Sequence, residues 1–240
     1  MRLFTSALRA APAASAAALA VALSASAALA QQDVPRAPSG TPIAPTGLEG
    51  QPLGDGPWTY KTGEGMDIRG VVVTKALDFP TALAFLPDGD MLVTTRPGEI
   101  RILRDGALDP APVAGGPDSY WAGVSGAGGA VHGYMDIALH PDFTDNGLVY
   151  LSYTKPMDDD ATTIAVGRGR WTGSALEGFE DIFVAPAGTR GISRIAFGPD
   201  GTLYVSTAGG GDPQGLDNIG GKILRFTDEG GIPAGNPFLG

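Results

Sequence analysis

The chain has 240 residues, no cysteine and a formal net charge of −10 at neutral pH. That acidity excludes nucleic acid or an anionic membrane as a partner held by bulk attraction. Without cysteine the fold rests on its core, even in an oxidising compartment.

The first thirty residues are set apart from the fold. Arg2 and Arg9 give a positive start, an Ala/Leu/Val run follows, and Ala28-Leu29-Ala30 closes it with small residues at cleavage spacing. This pattern predicts a signal peptide over 1–30 and a periplasmic or secreted protein with no membrane span after cleavage. Gln31 to Gly56 is rich in Pro, Gly and Ser and reads as a flexible linker. Residues 57–240 then form one domain, long enough for a sizeable core.

That domain repeats itself. LAFLPDGDMLVTTRPGE (Leu83 to Glu99) has a near copy in IAFGPDGTLYVSTAGGG (Ile195 to Gly211), and a looser copy lies between them. The middle copy runs from Tyr134 to Leu139, through HPDFTDNG, and out again from Leu148 to Tyr153. Pro presets φ for a turn, Asp bonds its own backbone and Gly accepts positive φ, so each copy predicts a hairpin. In the middle copy Asn146-Gly147 is the hairpin signal. Further strands are expected at Glu99–Leu103, Thr162–Trp171, Asp181–Val184 and Lys222–Phe226. Copies spaced by roughly fifty to sixty residues, with about four strands each, point to an all-β fold, a β-propeller of four-stranded blades. A β-sandwich is the rival, but it has no need of a matched turn at a regular interval.

In such blades the Pro-Asp turns share one face and the variable loops share the other. The loop face carries the site candidates. His132 stands on a glycine-rich loop, where an imidazole can exchange protons near neutral pH; an exposed loop histidine is the plainer reading. His140 precedes a Pro-Asp turn and reads as packing or capping. Asp158-Asp159-Asp160 has the oxygen chemistry of a hard-cation site, although a solvated acidic loop is the plainer reading. Gly209-Gly210-Gly211 lacks the Lys-Ser/Thr and helix of a phosphate loop. Ser125 lacks a nucleophile-elbow pattern, and no spacing has a zinc signature.

FPTALAFLPDGDMLVTTRPGEIRILRDG, MDIALHPDFTDNGLVYLSYT, SRIAFGPDGTLYVST and GKILRFTDEGGIPAGNPF, in that order, resemble the PQQ-dependent soluble sugar dehydrogenases of glucose, aldose and sorbosone type. The resemblance runs from about Asp67 to the C-terminus. It implies a six-bladed propeller of which about three blades are present, so that 57–240 resembles the N-terminal half of the fold. A short form paired with a second copy, as a dimer, is the other way to close the ring. The implied chemistry is oxidation of a sugar C1 hydroxyl to a lactone. The implied cofactors are PQQ and calcium, and the implied partners are a small sugar and an external electron acceptor.

Aligned on Arg194, the family's base position is Arg190, and an arginine stays protonated at neutral pH. His132 and Asp212 are the substitutes nearest to hand, with Arg190 stabilising developing charge. The family's usual glutamine position falls at Val131 and a frequent aspartate position at Gly209. Gln214, Leu216, Asn218 and Gly221-Lys222 match the family run. Other readings are an exported, non-catalytic propeller that binds a carbohydrate or protein on its loops, and a calcium-dependent lactone hydrolase.

Overall fold

The computed structural model describes residues 54–122, 132–189, 191, 193–208 and 212–238. The signal peptide, nearly all of the linker and, among the site candidates, Arg190 lie outside the described residues. So do Ser125, Val131 and Gly209 to Gly211.

Three antiparallel meanders follow one another along the chain. The first holds β3 (Pro80–Phe85), β4 (Met91–Thr95), β5 (Ile100–Arg104) and β6 (Ala107–Leu108). The second holds β7 (Tyr134–Leu139), β8 (Leu148–Pro156), β9 (Thr162–Trp171) and β10 (Leu176–Val184). The third holds β11 (Ile195–Phe197), β12 (Leu203–Ser206) and β13 (Ile223–Phe226), three strands among the described residues where four were expected. Ahead of them, β1 (Trp58–Lys61) and β2 (Asp67–Gly70) form a separate exposed hairpin that the repeat did not announce. The whole is all-β, and sheets in strict sequence order are consistent with propeller blades.

The matched Pro-Asp-Gly phrases make matched turns. Leu86 N–H donates to Asp90 O at 2.8 Å, and Gly198 N–H to Thr202 O at 2.9 Å. Gly89 and Gly201 take φ of +95° and +75°, a region open to glycine at no steric cost. Asp88 and Asp200 each accept the N–H two residues on at 3.1 Å. The middle copy differs. Its connection winds into one helical turn, α1 (Phe143–Asn146), closed by Gly147 in the left-handed conformation. Eight residues between strands are enough for that turn, so Asn146-Gly147 ends a helix instead of forming a two-residue hairpin loop. His140 does both jobs expected of it: Nδ1 accepts the Asp142 N–H at 3.0 Å, and the ring packs on Tyr150 and Phe197.

The core fills the two gaps between sheets, and β8 serves both. Val149, Leu151 and Tyr153 face the first sheet with Leu92, Ile100 and Ile102. Tyr150 faces the third with Ile195, Leu203 and Val205. Alternate residues of a strand point to opposite faces, so a strand buried on both sides reads as a continuous apolar run. Each fully buried Val or Leu contributes about 1.5–3 kcal/mol.

Candidate functional site

The first strands of the three sheets are tied together at their starting ends by Arg194 and Asp136. Arg194 Nη1 donates to Thr81 O and Met135 O, both at 3.3 Å, and lies 3.4 Å from Asp136 Oδ1. Asp136 Oδ2 accepts the Ile195 N–H at 2.9 Å. Because β3, β7 and β11 begin side by side, the segments just before them converge. Those segments carry Phe79 and His132.

Around His132 the described residues build a rim. Tyr120 and His132 meet edge to face with centroids 5.1 Å apart, and Phe79 and Trp121 meet at 5.5 Å. The Tyr120 N–H donates to Thr154 O at 2.9 Å, and the Thr154 N–H donates to Gly133 O at 2.9 Å. This places the Tyr120-Trp121 pair beside the residue that follows His132. The Arg96 N–H donates to Phe79 O at 3.1 Å, holding Phe79 at a φ of +47° that a bulky side chain rarely adopts. Gly133 closes the circle. It has φ +92°, and a Cβ there would stand 1.9 Å from Arg96 O. Tyr120 and Phe79 stay 40% and 48% exposed, so their rings are open to a ligand.

Asp212 sits on the third sheet's loop. Its Oδ1 accepts the Gln214 N–H at 2.9 Å, a turn-closing bond. Lys222 Nζ gathers the same loop by donating to the carbonyls of Pro213 at 2.8 Å, Gly220 at 2.9 Å and Asp212 at 3.4 Å. Thr207 Oγ1 anchors its far end through Ile219 O and Lys222 O. A Cβ on Gly191 would lie 2.2 Å from the Ala208 Cβ, so Gly191 packs directly against Ala208. Gln214, Asn218 and Lys222 therefore act as scaffold, with Asn218 Nδ2 donating to Asp212 O at 3.1 Å.

Asp158-Asp159-Asp160 forms the exposed turn between β8 and β9. Met157 N–H donates to Ala161 O at 2.8 Å, and Asp159 and Asp160 both take φ +58°. Among the described residues no group of three or more His, Asp or Glu side chains is arranged to hold a metal ion.

The sequence pointed to His132 and Asp212. It passed over Phe79, Tyr120 and Trp121. The available signal was two adjacent aromatics, Tyr120-Trp121, inside a stretch otherwise made of Gly, Pro, Ser and Asp.

Three orderly sheets whose strand-starting ends carry a rim of rings and a histidine describe an all-β protein with a candidate loop-built site. The sequence profile of the Glucose / Sorbosone dehydrogenase family matches residues 77–240. The aldose sugar dehydrogenase YliI of Escherichia coli is 36% identical over 178 residues, which is 70% of this chain and 46% of that protein. A solved glucose dehydrogenase superposes with a TM-score of 0.61 at 32% identity, over 70% of this chain and 50% of its own. The PQQ-bound aldose sugar dehydrogenase of Streptomyces coelicolor superposes at 0.51 and 32%, over 69% of this chain and 49% of its own. The chain belongs to the glucose/sorbosone dehydrogenase family, and it spans about half the length of the curated relatives it matches.

Proposed function

We propose that the protein to which this chain belongs is an exported, quinone-dependent aldose dehydrogenase on a six-bladed propeller, oxidising a sugar C1 hydroxyl to the lactone. The observation that carries this reading is the rim at the strand starts, where Tyr120 meets His132, Phe79 meets Trp121, and the Arg96 backbone holds Phe79 and packs against Gly133. A planar, anionic quinone fits that donor set: rings offer faces for stacking, and a guanidinium pairs with carboxylates. When bound, pyrroloquinoline quinone supplies the two-electron acceptor for the hydride on C1.

The chain's own part is positional and acid–base. His132 takes the C1-hydroxyl proton, and Tyr120 fixes the plane of its ring. Arg190, at the position where the family has its base, supplies positive charge to the oxygen as that proton leaves. Asp212, already closing its own turn, borders the site without taking the proton. Calcium is assigned no role, since the described residues offer it no ligand cluster.

The test is dye reduction by the protein at the length of its relatives, loaded with the quinone and offered a panel of aldoses. Quinone-dependent turnover that falls at least about 100-fold in His132→Ala is the expected result. Saturable quinone binding with no turnover on any aldose would overturn it, and sugar binding without redox would move the protein to a carbohydrate-binding role.

A further inference from the structure

We propose a second binding site, distinct from the rim at the strand starts and independent of the dehydrogenase reading, for a neutral polyhydroxylated molecule of monosaccharide size. It is an open cleft of about 490 Å³ between the second sheet and the connection that leads to it from the first, within the usual range for small-ligand pockets. Its walls include Gly115, Gly116, Tyr153, Lys155, Phe179 and Asp181.

The polar groups there are neutral as a set. Lys155 Nζ donates to Asp181 Oδ2 at 2.6 Å, and the Tyr153 hydroxyl donates to Asp181 Oδ1 at 2.5 Å. Burial, with the neighbouring Asp181 carboxylate, pushes the Tyr153 phenol above its ordinary value, so it remains a donor. The side chains of Lys155 and Asp181 are 35% and 20% exposed, so each still reaches solvent. Lys155 keeps two N–H groups to give, and the carboxylate oxygens keep lone pairs to accept. Donors and acceptors side by side with no net charge suit adjacent hydroxyls and offer little to an anion. Phe179 adds an apolar face of the kind that covers the C–H side of a sugar ring.

The backbone is shaped around this space. β10 breaks register between Glu177 and Glu180, and Gly178 within the break has φ +61°. A Cβ on Gly178 would meet no atom within 4 Å, so the bulge faces open space. The same bulge lays Phe179 over β9, where a Cβ on Gly167 would stand 2.5 Å from its ring. Bulges re-aim side chains in this way beside ligand sites.

The test is a backbone-amide NMR titration of the full chain with methyl α-D-glucoside, whose C1 oxygen is blocked and cannot be oxidised. Saturable shifts centred on Gly115, Gly116 and Gly178 are expected. Lys155→Met and Phe179→Leu should each weaken the binding at least tenfold, and His132→Ala should leave it unchanged. Wild-type mapping decides the matter even if a variant fails to fold. No saturable shift at these glycines overturns the site, as do shifts confined to Phe79, Tyr120 and His132. Inorganic phosphate binding in place of the glucoside would do so too.

Discussion

The carboxylate of Asp136 accepts the backbone N–H of Ile195 at 2.9 Å, joining the first strand of the second sheet to the first strand of the third. Ile195 is buried, so this bond replaces solvent for a main-chain donor with no spare partner nearby. Asp136→Ala should therefore lower stability by about 1–3 kcal/mol, the cost of an unsatisfied buried group. Asp136→Asn retains an acceptor oxygen and should lose less. Urea unfolding of the three proteins checks this, and superimposable curves would show that the joint carries no weight.

Two buried phenols set an alkaline limit. Tyr134 donates to Pro117 O at 2.6 Å and Tyr153 donates to Asp181, with the rings edge to face. Burial, then the nearby Asp118 charge for Tyr134 and the Asp181 bond for Tyr153, pushes both above the ordinary tyrosine value. The folded chain thus keeps protons that the unfolded chain releases from about pH 10. Stability is fully present below that pH and falls as pH rises toward the folded values, by about 1.4 kcal/mol per pH unit for each tyrosine. Unfolding midpoints measured from pH 8 to 12 should fall, and less steeply in Tyr153→Phe. A midpoint unchanged at pH 11, or equal slopes in the two proteins, would contradict it.

Gly133 is the tightest point of the rim. Alanine there meets both an unfavourable φ of +92° and the Arg96 carbonyl, at 1.9 Å from the new Cβ. Overpacking of this kind costs about 1–3 kcal/mol, and the backbone must shift to relieve it. Because His132 is the preceding residue, Gly133→Ala should also weaken quinone binding, by more than Gly63→Ala, where a Cβ meets nothing within 4 Å. Thermal unfolding and a quinone titration on both variants separate the effects. Equal behaviour of the two would remove Gly133 from the site's framework.

The fold was readable where chemistry is local. Pro-Asp-Gly specifies its turn within four residues, and Thr162–Trp171 appears as a strand over the range expected of it. β1 and β2 escaped because each is only four exposed residues long and neither belongs to a repeated phrase. α1 escaped because one turn is too short for a helical pattern. For the site, His132 was visible as a solitary imidazole on a loop. The aromatics around it were not, since Tyr120 reaches its place only through Thr154 and Phe79 only through Arg96. Such partners are set by how sheets stack, and no spacing along the chain records that. The cleft at Lys155 and Asp181 was missed for the same reason, its groups lying on β8, β10 and the connection after the first sheet.

Arg194 holds Thr81 and Met135 by their carbonyl oxygens, which every amino acid possesses. The clamp is thus indifferent to which side chains the neighbouring loops display. The loops above it can therefore change their side chains while the three strand starts stay joined by the same few contacts.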